Sequence, residues 1–221
     1  MHRAFTLTAV VCALIFSATV SFAHSGELLN FQGLGDLQPV GNFYNGAGIS
    51  GTPNYGITFS SNFLGLRSIF NGGSGAFSAN PTGTPAIFVN GTMGSTVTGI
   101  MNVNNGFAGG LQFFYTAGFS ETVTIWSGAN GTGTVLATMT LTPNNGACTG
   151  FPTYCNWTSA GLNFSGTGKS VTFTGTANGV GISDITVGSD TTAVPEPSTI
   201  GLLGMGLAGV SLNWLRRLVK V

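Results

Sequence analysis

The chain is 221 residues long, 5% charged and formally neutral at pH 7, with 36 glycines and 17 phenylalanines. That length holds one domain of ordinary size plus targeting segments, and the aromatic and β-branched content excludes a disordered chain. Between His24 and Ala193 the basic residues are Arg67 and Lys169, against Glu27, Asp36, Glu121, Asp184 and Asp190, which excludes nucleic acid as a partner because phosphate binding needs clustered Lys and Arg.

The chain opens "MHRAFTLTAVVCALIFSATVSFAHS", with basic Arg3, an apolar stretch from Ala4 to Ala18, and the small-x-small pattern Ser21-Phe22-Ala23. This reads as a secretory signal peptide over residues 1–23; the alternative is an uncleaved membrane anchor. An ectodomain follows over 24–190. Its expected strands are 28–31, 55–60, 86–90, 95–103, 111–116, 122–127, 134–142, 161–164, 170–176 and 179–187, separated by turn signals such as "NNG", "GANGTG" and "ANG". In "TVLATMTLT" Val135, Ala137, Met139 and Leu141 share a dry face opposite Thr138, Thr140 and Thr142, and "SVTFTGT" places Val171 and Phe173 inside. Strands at this spacing predict an all-β antiparallel sandwich, jelly-roll-like, with a closed barrel as the alternative.

In "GVGISDITV" Val180 and Ile182 fall on one parity and Ile185 and Val187 on the other. Either a bulge near Ser183 and Asp184 restores the phase, or the Asp184 carboxylate faces inward and needs partners. A structural calcium ion held by Asp184, backbone carbonyls and Glu27 of the first strand would supply them.

Cys12 leaves with the signal peptide, and the remaining pair, Cys148 and Cys155, favours a disulfide in an exported chain. "CTGFPTYC" offers no further ligands for zinc. The ectodomain's one histidine is His24 at its expected free end, which argues against Ser-His-Asp and Cys-His catalysis. Glu121 with Asp184 is the candidate glycosidase pair, although Glu121 at a strand start beside turn residues reads as a solvated carboxylate. Tyr44, Tyr55, Tyr115, Trp126, Tyr154 and Trp157 are candidates for stacking on sugar rings, Tyr154 and Trp157 first among them because they flank the cysteine loop.

The C-terminus reads "VPEPSTIGLLGMGLAGVSLNWLRRLVKV". Pro195 and Pro197 hold a linker over 191–199 extended. An apolar run from Ile200 to Leu215 is near the lower length for a bilayer span, and Arg216, Arg217 and Lys220 would keep the end of this 200–221 segment in the cytoplasm. Pro195-Glu196-Pro197, a Gly/Leu-rich helix and a basic end together closely resemble the PEP-CTERM sorting signal of Gram-negative bacteria. The resemblance implies an inner-membrane-anchored precursor, recognition by an exosortase, removal of the helix, and delivery to the cell surface or extracellular matrix. The segments "NFQGLGDLQPVGNFYNG", "YGITFSSN" and "SVTFTGTANGVGISDITVGS" also resemble a recurrent ectodomain type of that family, and differ from it at Gln32 and Ser183.

The expected protein is therefore an exported, non-enzymatic structural or adhesive component of an exopolysaccharide or biofilm matrix. A carbohydrate-binding module is the alternative, and a glycoside hydrolase ranks third.

Overall fold

The computed structural model describes residues 26–46, 53–78, 80–83, 85–148 and 151–188. The expected signal peptide over 1–23, the sorting motif Pro195-Glu196-Pro197, the membrane helix and the basic residues Arg216, Arg217 and Lys220 lie outside the described residues. Within them the fold is all-β and antiparallel, with three-residue 3-10 turns as its helical elements. The strands are β1 (Glu27–Leu29), β2 (Tyr44–Asn45), β3 (Asn54–Phe59), β4 (Phe63–Leu66), β5 (Ala86–Val89), β6 (Thr96–Ala117), β7 (Glu121–Trp126), β8 (Val135–Leu141), β9 (Thr158–Thr176) and β10 (Val180–Val187).

All ten join one sheet with the path β4-β5-β10-β6-β9-β7-β8, β1 beside β10 and β3 beside β6. Two long strands fold that sheet onto itself. The sequence predicts breaks at "NNGFAGG" and between 164 and 170, but β6 and β9 run straight through both. Their mutual register shifts between Asn102 and Phe107 and again before Gly109, where Gly106 (φ 73°), Gly109 (φ 84°) and Gly166 (φ 93°) hold left-handed backbone. Glycine bends the pair there instead of ending it. As a result the two strands pass from one layer to the other, as in sandwiches whose corners are bent strands: the first layer holds β1, β4, β5 and β10 with the second half of β6, and the second layer holds β3, β7 and β8 with the first half of β6 and the second half of β9.

Ring contacts show that the layers face each other. Phe173 on β9 meets Phe63 on β4 edge-on at 5.6 Å and Phe113 on the far half of β6 at 5.9 Å. Phe63 packs on the bare backbone of Gly99, where any Cβ would run into its ring. Phe31, Phe63, Phe113 and Phe173 are fully buried, each contributing about 2 kcal/mol of transfer free energy.

β10 resolves its parity problem by a bulge. Ser183 pairs with Phe114 and Thr186 with Gln112, so Asp184 and Ile185 together oppose one residue. Asp184 takes the left-handed conformation (φ 51°), and Val180, Ile182, Ile185 and Val187 are all buried. In β8 the expected dry face is broken at its start: Ala137 pairs with Ile125 but Val135 with Trp126, so a bulge at Leu136 turns Val135 to the outer face, where it is 48% exposed, whereas Leu141 stays buried. The short β2 and β4 are not legible in the sequence, since two and four residues are too few for alternation to show.

Candidate functional site

Two loops cross the outer face of the first layer and zip together there. The stretch between β4 and β5 joins the disulfide loop before β9 through Ser78 N–H to the Tyr154 carbonyl (2.9 Å) and Tyr154 N–H to the Ala76 carbonyl (3.1 Å). Trp157 donates its indole N–H to the Ser78 carbonyl (2.8 Å) and stands edge-on to Phe77. Beneath them, Phe88, Gly181 and Thr116 are cross-strand neighbours, opposite in parity to the core residues Ile87, Ile182 and Tyr115. Gly181 carries no side chain between its two neighbours and leaves the floor of an apolar groove of ≈ 470 Å³, walled by Phe77, Phe88, Tyr154 and Val180. Thr116, also in its wall, is buried, and its hydroxyl has no hydrogen-bond partner among the described residues.

Beside this groove the loops present two exposed phenyl rings. Ser68 caps a 3-10 turn, Ile69–Asn71, by accepting the Phe70 N–H, and also donates its hydroxyl to the Phe77 carbonyl (2.6 Å). The turn closes on Gly72 in the left-handed conformation and leaves Phe70 61% exposed. Across from it Phe151, 62% exposed, sits in the loop closed by Cys148 and Cys155, whose Cα atoms are 5.6 Å apart. The two ring centroids are 6.5 Å apart and tilted by 53°. A polar cleft of ≈ 640 Å³ starts near this pair, at Ser68 and Asn71, and runs toward Arg67, Gln32 and Thr82. Paired aromatic rings held on braced loops next to hydroxyl and amide groups suit a ligand with apolar faces and polar edges.

The structure joins the two cysteines expected to pair. Tyr154 lines the groove, and burial pushes its hydroxyl pKa up; Trp157 is half-buried between loop and sheet. Tyr44 and Tyr115 belong to the core, which corrects the expectation that they are available for stacking, and Trp126 spends its N–H on the Thr172 hydroxyl (2.9 Å). Burial pushes the Tyr44 hydroxyl pKa strongly upward, while the Phe31 N–H donates to its oxygen. The sequence reading missed Phe70 and Phe151. Their signal is location: each is an aromatic residue among turn formers, with no alternating apolar neighbours to make a core face.

Asp184 is buried and receives the Thr82 hydroxyl at 3.0 and 2.9 Å and the Ser183 hydroxyl at 3.0 Å. Glu27 pairs with Val187, three positions from Asp184 and so about 10 Å away along the strand. Its carboxylate meets the Tyr55 hydroxyl, whose pKa is raised first by burial and then by the Glu27 charge and hydrogen bond. Among the described residues no three His, Cys, Asp or Glu side chains gather. Glu121 is not the solvated strand-end carboxylate of the sequence reading. It is 4% exposed, one carboxyl oxygen has no partner among the described residues, and burial raises its pKa from 4.5 to about 8. It opens β7 against Leu141 and Gly175 in the second layer, whereas Asp184 lies in the first, so no hydrogen bond joins the proposed pair.

The fold and these loops define an all-β, two-layered domain that presents aromatic rings and clefts on its surface. Beyond it, residues 193–217 match the PEP-CTERM protein-sorting motif. No curated protein matches the chain. Among solved structures, a cleaved adhesin domain of Lys-gingipain from Porphyromonas gingivalis is similar, with 13% identity and a TM-score of 0.45, covering 75% of this chain and 99% of that domain. A family 29 carbohydrate-binding module is similar with 13% identity and a TM-score of 0.40, covering 74% of this chain and 90% of that one. Likeness at this level assigns no function.

Proposed function

We propose that the protein is a non-enzymatic adhesive or structural component of the cell surface or exopolysaccharide matrix of a Gram-negative bacterium. The sorting motif at residues 193–217 carries this reading. In it, residues 1–23 direct export, a jelly-roll-like sandwich ectodomain fills 24–190, and the linker 191–199 presents Pro195, Glu196 and Pro197 to an exosortase. The apolar helix and basic tail of 200–221 hold the precursor in the inner membrane until processing. Mass spectrometry of the C-terminal peptide, from protein recovered separately from membranes and matrix, tests the reading. A matrix form ending near Pro195 to Pro197 supports it, and protein intact through Val221 in every fraction removes the matrix role.

A second reading, polysaccharide binding by the ectodomain, is favoured by the exposed pair Phe70 and Phe151 beside the Tyr154 groove. Retardation of the protein in gels cast with exopolysaccharide, weakened by Phe70→Ala with Phe151→Ala and by Trp157→Ala, supports it; mobility that no glycan changes sinks it. Hydrolysis by Glu121 and Asp184 predicts shortened oligosaccharides after long incubation, and their survival discards it. A structural calcium at Asp184 predicts a melting midpoint that rises with calcium over chelator and fails to rise in Asp184→Asn.

A further inference from the structure

The edges of the sheet are treated unequally. The outer edge of β4 is covered, because residues 37–40 run along it: the Leu37 N–H reaches the Gly65 carbonyl (2.8 Å), the Gly65 N–H reaches the Gln38 carbonyl (2.8 Å), and the Val40 N–H reaches the Phe63 carbonyl (2.9 Å). β1 and β2 expose only three and two residues. β8 offers seven, and among the described residues its pairing is with β7 alone. An open edge of that length is a template for another strand, and proteins that avoid such pairing place charge, proline or a twist-inducing bulge on it. β8 carries one such bulge, at Leu136 near its start, but from Ala137 to Leu141 its register is regular, "ATMTL" has no charge, no proline and no glycine, and the chain carries no charged residue at all from Thr122 to Gly168.

We propose that β8 pairs antiparallel with β8 of a second copy of this chain, continuing the second layer across a two-fold axis. Several observations select a second copy over another occupant. Antiparallel pairing of one strand with itself is self-complementary under two-fold symmetry. The uncharged surroundings of β8 set no like charges against each other when two copies meet. The outer face is also a threonine array in register: Thr98, Thr174, Thr122 and Thr140 form one cross-strand row, and Thr172, Thr124 and Thr138 the next. Hydroxyl contacts already link Thr98 to Thr174 (2.9 Å) and Thr138 to Thr124 (3.2 Å). Exposed Thr138 and Thr140 end these rows at the open edge, where the same residues of a second copy would extend them.

Two measurements test this. Sedimentation of the full-length protein in detergent over a wide concentration range is expected to show a dimer that Thr140→Lys weakens at least tenfold, with partial recovery in high salt and an unchanged melting midpoint. On intact cells making Thr138→Cys and Thr140→Cys copies together, the two positions that face each other in this pairing are expected to yield a covalent dimer in which mass spectrometry finds position 138 of one copy linked to position 140 of the other, a readout that does not depend on the lysine variant folding. A monomer at every concentration, because part of the chain outside the described residues covers β8 or because nothing does, overturns the proposal. So does a dimer indifferent to Thr140→Lys that gives no such cross-link. Either result leaves the sorting and polysaccharide readings standing, since neither depends on β8.

Discussion

Among the described residues two carboxylates are buried, and their surroundings differ. At the β10 bulge, Asp184 receives two hydroxyl donors, Thr82 from a loop 102 residues away in sequence and Ser183 next to it. At the opening of β7, Glu121 has a carboxyl oxygen with no donor among the described residues. An ionised carboxylate in an apolar site must either be hydrogen-bonded or give up its charge. The bulge supplies donors and the β7 opening does not, and the comparison can be broken at either end.

The largest effect is expected at Glu121. Its pKa is raised by burial from 4.5 to about 8, so the folded state binds the proton more tightly than the unfolded chain does. Stability from this group is complete below pH 4.5 and is lost as pH rises through about 8. The loss is on the order of 4 kcal/mol by linkage at ~1.4 kcal/mol per pH unit. Melting of the wild type between pH 5 and pH 9 should show this fall, and Glu121→Gln, uncharged throughout, should flatten it. A wild-type midpoint flat across that range would mean that donors outside the described residues serve Glu121 after all.

Next comes Asp184→Ala. It removes the acceptor of two hydroxyls and leaves a non-glycine residue at φ 51°, where aspartate and asparagine are tolerated better than alanine. The expected cost is about 3 kcal/mol, read from chemical denaturation. Asp184→Asn keeps both the backbone tolerance and an acceptor oxygen, and should cost less than half as much. Equal losses for the two variants would show that the charge itself, and not the hydrogen bonding, holds the bulge.

How much of this was legible in sequence follows from which interactions are local. The parity break at Ser183 and Asp184 announced the bulge because alternation is a property of consecutive residues. The strand content was legible for the same reason. The continuity of β6 and β9 was not: "NNGFAGG" carries every turn signal, and it becomes a bend only because Gly166 and Gly168 lie opposite it in β9. The burial of Glu121 depends equally on a distant residue, Gly175, where a side chain would collide with Glu121 itself. For the candidate site, the cysteine pairing and Tyr154 were within reach. The rings of Phe70 and Phe151 come together only through the zipper between two loops, which no periodicity encodes.

The smallest effect expected is at Thr82, and it sharpens the comparison most. Thr82→Val keeps the shape of the side chain and removes one donor from Asp184, leaving Ser183 as its hydroxyl partner; the loss should be about 1 kcal/mol. If the Thr82 bond is charge-assisted, it should weaken when its acceptor is neutral, so the same substitution in an Asp184→Asn background should cost clearly less than in the wild type. Such coupling would tie the long loop that carries Thr82 to the bulge through one carboxylate, and with it one end of the polar cleft that begins near Phe70. Additive losses would instead separate them, leaving Asp184 held by its own strand and the loop held by other contacts, those of Phe77, Tyr154 and Trp157 among them.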